Sequence, residues 1–248
     1  MTRIFRLAVL ECDTPLPAVK TVRGSYGEVF RVLLAKGQQG LGSKGDDVQL
    51  DISKWDVVAS QAFPNLDEID GLWLTGSKHT AFADDDWIVS LVEFTKKVLT
   101  TTKIPVVGIC FGHQIIGRAL GAKVGVSLGG WEVSVDKINL NEDGKSLLEV
   151  SSLRLHQMHR DAVLEIPQGV VCLGSSPKCE IQGLYQAGHL ISFQAHPEFD
   201  GFIMSTILET RHEQGVFDDA LFEDGVVRAQ QPHDGVLVST AIWNFLLS

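Results

Sequence analysis

The stretch Pro105-Val106-Val107-Gly108-Ile109-Cys110-Phe111-Gly112-His113-Gln114 carries an apolar run into Gly-x-Cys-x-Gly and then into a helical pattern over residues 114–120. Gly-x-Cys-x-Gly is the sulfur counterpart of Gly-x-Ser-x-Gly, the sharp strand-to-helix turn that lifts a nucleophile above the end of a sheet. The two glycines answer a steric need, because a β-carbon on either side of so tight a turn would collide with neighbouring backbone. At the start of a helix the sulfur also sits where the macrodipole favours negative charge. The stretch therefore reads as the carboxyl end of a central strand in an α/β protein, where such sheets place their ligands. Cys110 becomes a candidate nucleophile; a buried core cysteine whose glycine neighbours merely allow close packing is the competing reading.

Outward from this turn, short apolar runs alternate with amphipathic stretches, the pattern of βα units around a parallel sheet. Residues 3–10, 55–60, 71–75 and 104–109 read as strands buried on both faces. Residues 22–36 and 87–99 have helical spacing, and Asp84, Asp85 and Asp86 place negative charge where the second helix starts, as capping residues rather than metal ligands. Gly37, Gly40, Gly42 and Gly45 mark a flexible loop that matches no phosphate-binding spacing. From about 123 to 193 the runs become short and alternating, at 123–128, 131–140, 170–175, 181–185 and 190–194, which predicts antiparallel strands with turns at Gly129-Gly130, Glu142-Asp143-Gly144 and Ala187-Gly188. Helices are predicted near 201–214, 217–229 and 234–247, with Gly225 an uncomfortable member of the second. No internal repeat or long Pro/Ser-rich linker divides the chain, so residues 1–248 are expected to form one domain.

A thiol nucleophile needs a base, and the base an orienting group. The strand at 190–194 runs into Ala195-His196-Pro197-Glu198. In extended backbone, residues two apart share a side, so Glu198 can hold the imidazole of His196 while its other ring nitrogen faces Cys110. His-x-Glu alone is a weak motif; joined to the cysteine turn it becomes a specific one. The oxyanion formed by attack on an amide carbonyl requires backbone N–H donors, and Phe111 and the Gly76-Ser77 turn after the third strand are placed to give them.

Composition removes other classes. A formal net charge of −10 and a pI near 5.2 disfavour binding to nucleic acid or to an anionic membrane surface. No run approaches the roughly 18 apolar residues of a membrane span, and the N-terminal apolar run is short, broken by Arg6 and followed by Glu11 and Asp13, unlike a signal peptide. Cys12, Cys110, Cys172 and Cys179 form no CxxC pair, which favours neither a zinc site nor a disulfide framework and points to a reducing, cytoplasmic location. Cys12 follows the first strand and has two readings, pocket lining or packing.

Gly76-Ser77, then Gly108-Ile109-Cys110-Phe111-Gly112-His113-Gln114, then His196-Pro197-Glu198, taken in that order, resemble the class I glutamine amidotransferase family over roughly residues 3–204. The segments 76–88 and 108–115 are most similar to its free-standing branch, which includes plant γ-glutamyl peptidases and fungal GMP-synthase-like amidotransferase proteins. The resemblance implies a three-layer α/β/α sandwich with a mostly parallel, flavodoxin-like central sheet, an antiparallel extension, and a C-terminal helical extension from about residue 205. It implies that Cys110, His196 and Glu198 form a catalytic triad, that Gly76, Ser77 and Phe111 supply the oxyanion hole, that Gln114 contacts a glutamyl substrate, and that Gly130, Trp131 and Glu132 wall its pocket. Met158-His159-Arg160-Asp161 stands where the family has Ser/Cys-His-x-Asp, with His159 and Asp161 expected to shape the site. His156 and His159 form an HxxH pair, but with no third ligand close in sequence zinc is not expected. The implied reaction is hydrolysis of a γ-glutamyl amide (glutamine, glutathione or a conjugate) through a glutamyl thioester, with no metal or organic cofactor. Two other readings stand beside it: a glutaminase subunit passing ammonia to a separate synthase, and a non-catalytic regulatory relative. The leaving amine is undetermined at this level.

Overall fold

A computed structural model describes residues 3–248. Along the chain come β1 (Arg3–Glu11), α1 (Pro17–Arg23), α2 (Tyr26–Gln39), α3 (Ser43–Asp46), β2 (Val48–Asp56), β3 (Gly71–Leu74), α4 (Asp86–Thr101), β4 (Val106–Ile109) and α5 (Phe111–Ala119). A strand-rich stretch follows: β5 (Val124–Val126), β6 (Glu132–Leu140), α6 (Glu142–Leu148), β7 (Ser152–His159), β8 (Asp161–Val163), β9 (Val171–Cys172), β10 (Gly174–Ser175), β11 (Gly183–Gln186) and β12 (Leu190–Phe193). After it come α7 (Gly201–Glu213), α8 (Asp219–Ala229) and α9 (Gly235–Leu246).

The main sheet has the order β2-β1-β3-β4-β12-β11-β9. Its first five strands run parallel, β11 runs antiparallel to β12, and β9 runs antiparallel to β11. This is the flavodoxin-like order, with the direction of winding reversing beside β1 and β3. The consequence for function is direct: β1, β3, β4 and β12 all end at the same edge, so the residues just after them meet there. β3, β4 and β12 are buried at every position, as strands covered on both faces must be.

On one face, Phe5, Leu7, Phe30, Leu34, Trp73 and Trp243 pack together as α2 and α9 cover the sheet. On the other, Leu10, Leu72, Leu74, Trp87, Ile88, Leu91 and Ile115 join α4 and α5 to it. The helices are amphipathic because each buries only one side. A third cluster, with Val133, Met158, Phe199, Met204, Leu208 and Phe217, binds α7 and α8 to the antiparallel strands β6 and β7 beside the strand ends.

Several local expectations are corrected. The helix predicted at 22–36 is two helices, because α1 starts on Pro17 and Gly24, at φ 79°, breaks the chain before α2. The loop expected at Gly37–Gly45 shrinks to a turn at residues 40–42, which holds Gly40 and Gly42, while Gly37 lies in α2 and Gly45 in α3. A β-carbon at Gly37 would lie 2.2 Å from Ser239 Oγ, so the missing side chain is what lets α9 approach. The strand expected at 55–60 is β2, which begins at Val48 and gives way to a turn at Val57, and the turn expected at Glu142-Asp143-Gly144 begins α6, capped by Asn141. Asp85 is the N-cap residue of α4 but its side chain caps nothing, while Asp84 pairs with Arg118. Gly225 in α8 is explained by crowding: Leu208 and Val133 approach it, and its carbonyl accepts the Ser134 hydroxyl.

Candidate active site

Cys110 is the N-cap of α5 with φ 52° and ψ −101°, a conformation that non-glycine residues rarely adopt and that costs about 1–3 kcal/mol. What holds it there is visible on both sides. Its N–H donates to Phe193 O at 2.8 Å, tying it to β12, and the Gly112 N–H donates to Thr75 O at 3.2 Å, tying the next turn to β3. A β-carbon on Gly112 would lie 2.4 Å from Leu74 O, and one on Gly108 would lie 2.7 Å from the Gly112 backbone. The steric reason inferred for both glycines is thus met by named atoms.

His196 follows β12. Its N–H donates to His156 O at 2.8 Å in an isolated bridge to β7, and its Nδ1 lies 2.8 Å from Glu198 Oε1. Cys110 is near enough to the same ring to act on its charge. Burial works against charge on the imidazole, but the Glu198 carboxylate and Cys110 sulfur outweigh it and push His196 up to about 10. The ring stacks on Phe199, so packing as well as hydrogen bonding fixes its plane.

Gly76 and Ser77 lie beside this pair. A β-carbon on Gly76 would come 2.8 Å from His196 Cε1 and 3.8 Å from Cys110 Cβ, so the glycine makes room for the imidazole. The turn is pinned from below: the Cys12 N–H donates to Thr75 Oγ1, and the Lys78 N–H donates to Asp13 Oδ2. Phe111, first residue of α5, has an N–H that no turn of its own helix can accept. Cys12 itself is fully buried, its thiol pushed by burial to about 12, and it packs rather than lines a cavity.

Two cavities flank the pair. One is lined by Cys110, Gln114, Trp131, His159, Arg160 and Asp161. The other, about 350 Å³, is lined by His196 and by Asp13, Leu16, Tyr26, Phe199 and Ile207. Ser77, Lys78, Met158 and Arg211 stand between them. Gln114 faces the first cavity with its amide nitrogen already donating to Asp161 O and Gln194 Oε1. Of the three residues expected to wall the pocket, Trp131 lines it. Glu132 points behind it, accepting from Ser176 and Gln182 and lying 3.0 Å from His159 Nε2, while Gly130 makes the positive-φ turn before β6. Burial opposes charge on Glu132, but His159 and Ser176 hold its carboxyl below the usual range.

His156 and His159 cannot act as a pair, because residues three apart on β7 point to opposite faces. His159 instead meets Glu132 and Cys179, whose candidate ligand atoms lie within 4.8 Å of one another, a buried trio that spacing along the chain does not reveal. Its carboxylate is already taken up by Ser176, Gln182 and His159, so the trio reads as a hydrogen-bonded support beneath Trp131. Sequence reasoning also missed Tyr26, the Asp13–Lys78 contact and Arg211, which lie on elements far from the cysteine turn and carry no local motif.

The family model for class I glutamine amidotransferase matches residues 40–209. A glutamine amidotransferase-like protein of Schizosaccharomyces pombe is 32% identical over 98% of this chain and 99% of its own length. γ-Glutamyl peptidase 2 of Arabidopsis thaliana is 33% identical over 89% of this chain and 87% of its own. Among solved structures, a glutamine amidotransferase of Thermotoga maritima superposes with a TM-score of 0.73, covering 98% of this chain and 99% of that one, at 19% identity.

Proposed function

The chain belongs to the class I glutamine amidotransferase family, and on that premise we propose that it hydrolyses γ-glutamyl amides with Cys110 as nucleophile, His196 as acid and base, and Glu198 as the orienting carboxylate. The observation that carries this reading is the positive-φ cysteine at the end of β4 with the imidazole against it and Glu198 2.8 Å behind. Strain of that kind persists only where surrounding structure imposes it. Relatives named γ-glutamyl peptidase, at 33% and 35% identity, support the glutamyl half of the reading.

The thiolate of Cys110 attacks the γ-carbonyl carbon, forming a C–S bond as the carbonyl electrons move to oxygen. The N–H groups of Phe111 and of Gly76 or Ser77 receive that oxyanion. Collapse breaks the C–N bond, and the proton on the imidazolium of His196 goes to the departing amine, leaving a glutamyl thioester. His196, now neutral, takes a proton from water as its oxygen attacks the thioester; the second collapse expels the thiolate, restores the ion pair and releases glutamate. Gln114, Trp131 and the backbone around Asp161 surround the glutamyl group.

The test is release of glutamate by purified protein from glutamine, glutathione, glutathione conjugates and simple γ-glutamyl amides, with Cys110→Ala as control. Turnover that survives the substitution overturns the mechanism.

A further inference from the structure

The two cavities differ in which member of the reacting pair they touch. Cys110 lines one and His196 lines the other. Under the hydrolase reading, on which this inference rests, the acyl carbon stays on sulfur while the amine takes its proton from His196. The glutamyl group therefore belongs in the cavity of Cys110, and the leaving amine in that of His196. Ammonia would leave a cavity of about 350 Å³ nearly vacant, whereas a cavity of that size is within the range that holds small organic ligands. Its walls include Leu16, Phe199 and Ile207, which suit an apolar side chain.

Its charged groups narrow the chemistry further. Lys78 is committed to Asp13 through both its ammonium and its backbone N–H. Arg211, from α7, is not committed. Arg6, Arg23, Arg118 and Arg228 each hold a carboxylate, but among the described residues Arg211 holds none. Its guanidinium lies 5.1 Å from the Trp131 ring centroid and 6.0 Å from that of Phe217, a half-buried position on the boundary between the two cavities, both of which it lines. On the glutamyl side Arg160 lies 3.7 Å from the Asp161 carboxylate.

We infer that Arg211 is a specificity-determining residue that receives a carboxylate carried by the leaving amine, so that γ-glutamyl amino acids and peptides with an apolar residue after the scissile bond are favoured over glutamine. A guanidinium on a rigid aromatic platform offers a planar fork to a carboxylate, which an uncharged amide cannot use.

The experiment measures binding, so that it does not depend on turnover. Calorimetry on the Cys110→Ala protein compares γ-glutamyl-leucine with γ-glutamyl-3-methylbutylamide, which has the same alkyl group without the carboxylate. The leucine compound is expected to bind at least tenfold more tightly, and adding Arg211→Met should bring the two within twofold. Arg211→Lys should restore part of the preference, which separates loss of charge from loss of packing on Trp131. Equal affinities in the Cys110→Ala protein overturn the inference, as does failure of the leucine compound to bind. An Arg211→Met effect equal for both compounds also overturns it, placing Arg211 on the glutamyl half. If the preference is present but native protein releases no glutamate from either compound, the hydrolase reading fails and the carboxylate site stands.

Discussion

The rings of His196 and Phe199 lie face to face, with centroids 3.9 Å apart and only 9° between their planes. Phe199 therefore sets the plane in which the imidazole can turn, and Glu198 sets its angle within that plane. Phe199→Leu keeps most of the buried volume but removes the flat support. Glutamate release should fall by about tenfold in kcat with KM little changed, since small misplacements of reacting groups are costly. Circular dichroism that matches native protein would confirm that the fold is intact; an unchanged kcat would show that the stack is idle.

Glu198→Gln tests the electrostatics of the same ring. Because His196 is pushed up to about 10, folding favours its protonated form. That contribution to stability is complete below the unfolded histidine value of about 6.5 and is lost as pH rises through about 10. Glutamate release should decline over the same alkaline range as the ion pair loses its proton. With glutamine at 198 the burial cost is less opposed, so the alkaline limb should move to lower pH and kcat should fall by about a hundredfold or more. The pH–rate profile of the two proteins decides this.

At the acid end the sign reverses. Burial pushes His113 and His156 down to about 3, so both are neutral in the folded protein at pH values where an unfolded chain would protonate them. Their contribution to stability is present above about 6.5 and is lost as pH falls toward about 3. The midpoint of thermal unfolding should drop steeply over that interval. His156, whose ring nitrogens find no partner among the described residues, can be replaced by leucine; the acid limb should then be shallower.

Two glycines should separate stability from chemistry. Gly112→Ala drives a β-carbon against the Leu74 carbonyl in the middle of the sheet, where nothing yields, and should cost about 3 kcal/mol or more in a denaturant titration. Gly76→Ala meets the edge of the His196 ring instead. It should cost less stability than Gly112→Ala while lowering kcat by at least about tenfold.

These contrasts also mark what a reader of the sequence can recover. The cysteine turn was legible because Gly108 and Gly112 declare a local steric need, and β12 because its apolar run ends on His196. β7 was not, since His156, Gln157 and His159 are polar residues buried in the site, and their burial erases the alternation that betrays a strand. Gly37 looked like part of a loop because the cause of its smallness lies on α9, in Ser239. Arg211 follows Cys110 by a long stretch of unrelated chain, and only the packing of α7 beside the strand ends reveals it.

The seating of α9 on α2 has a consequence for how the protein is made. The Trp243 indole donates to Leu34 O across 209 positions of sequence, and the two helices together roof one face of the sheet. While a ribosome is still elongating toward residue 243, Phe5, Phe30 and Trp73 have been synthesised but lack their cover. At about 5–20 residues per second, that apolar face stays open to other chains for on the order of ten seconds or more. This face of the sheet can therefore close only after residue 243 has emerged, and high expression should place a heavy demand on chaperones that shield nascent hydrophobic surface.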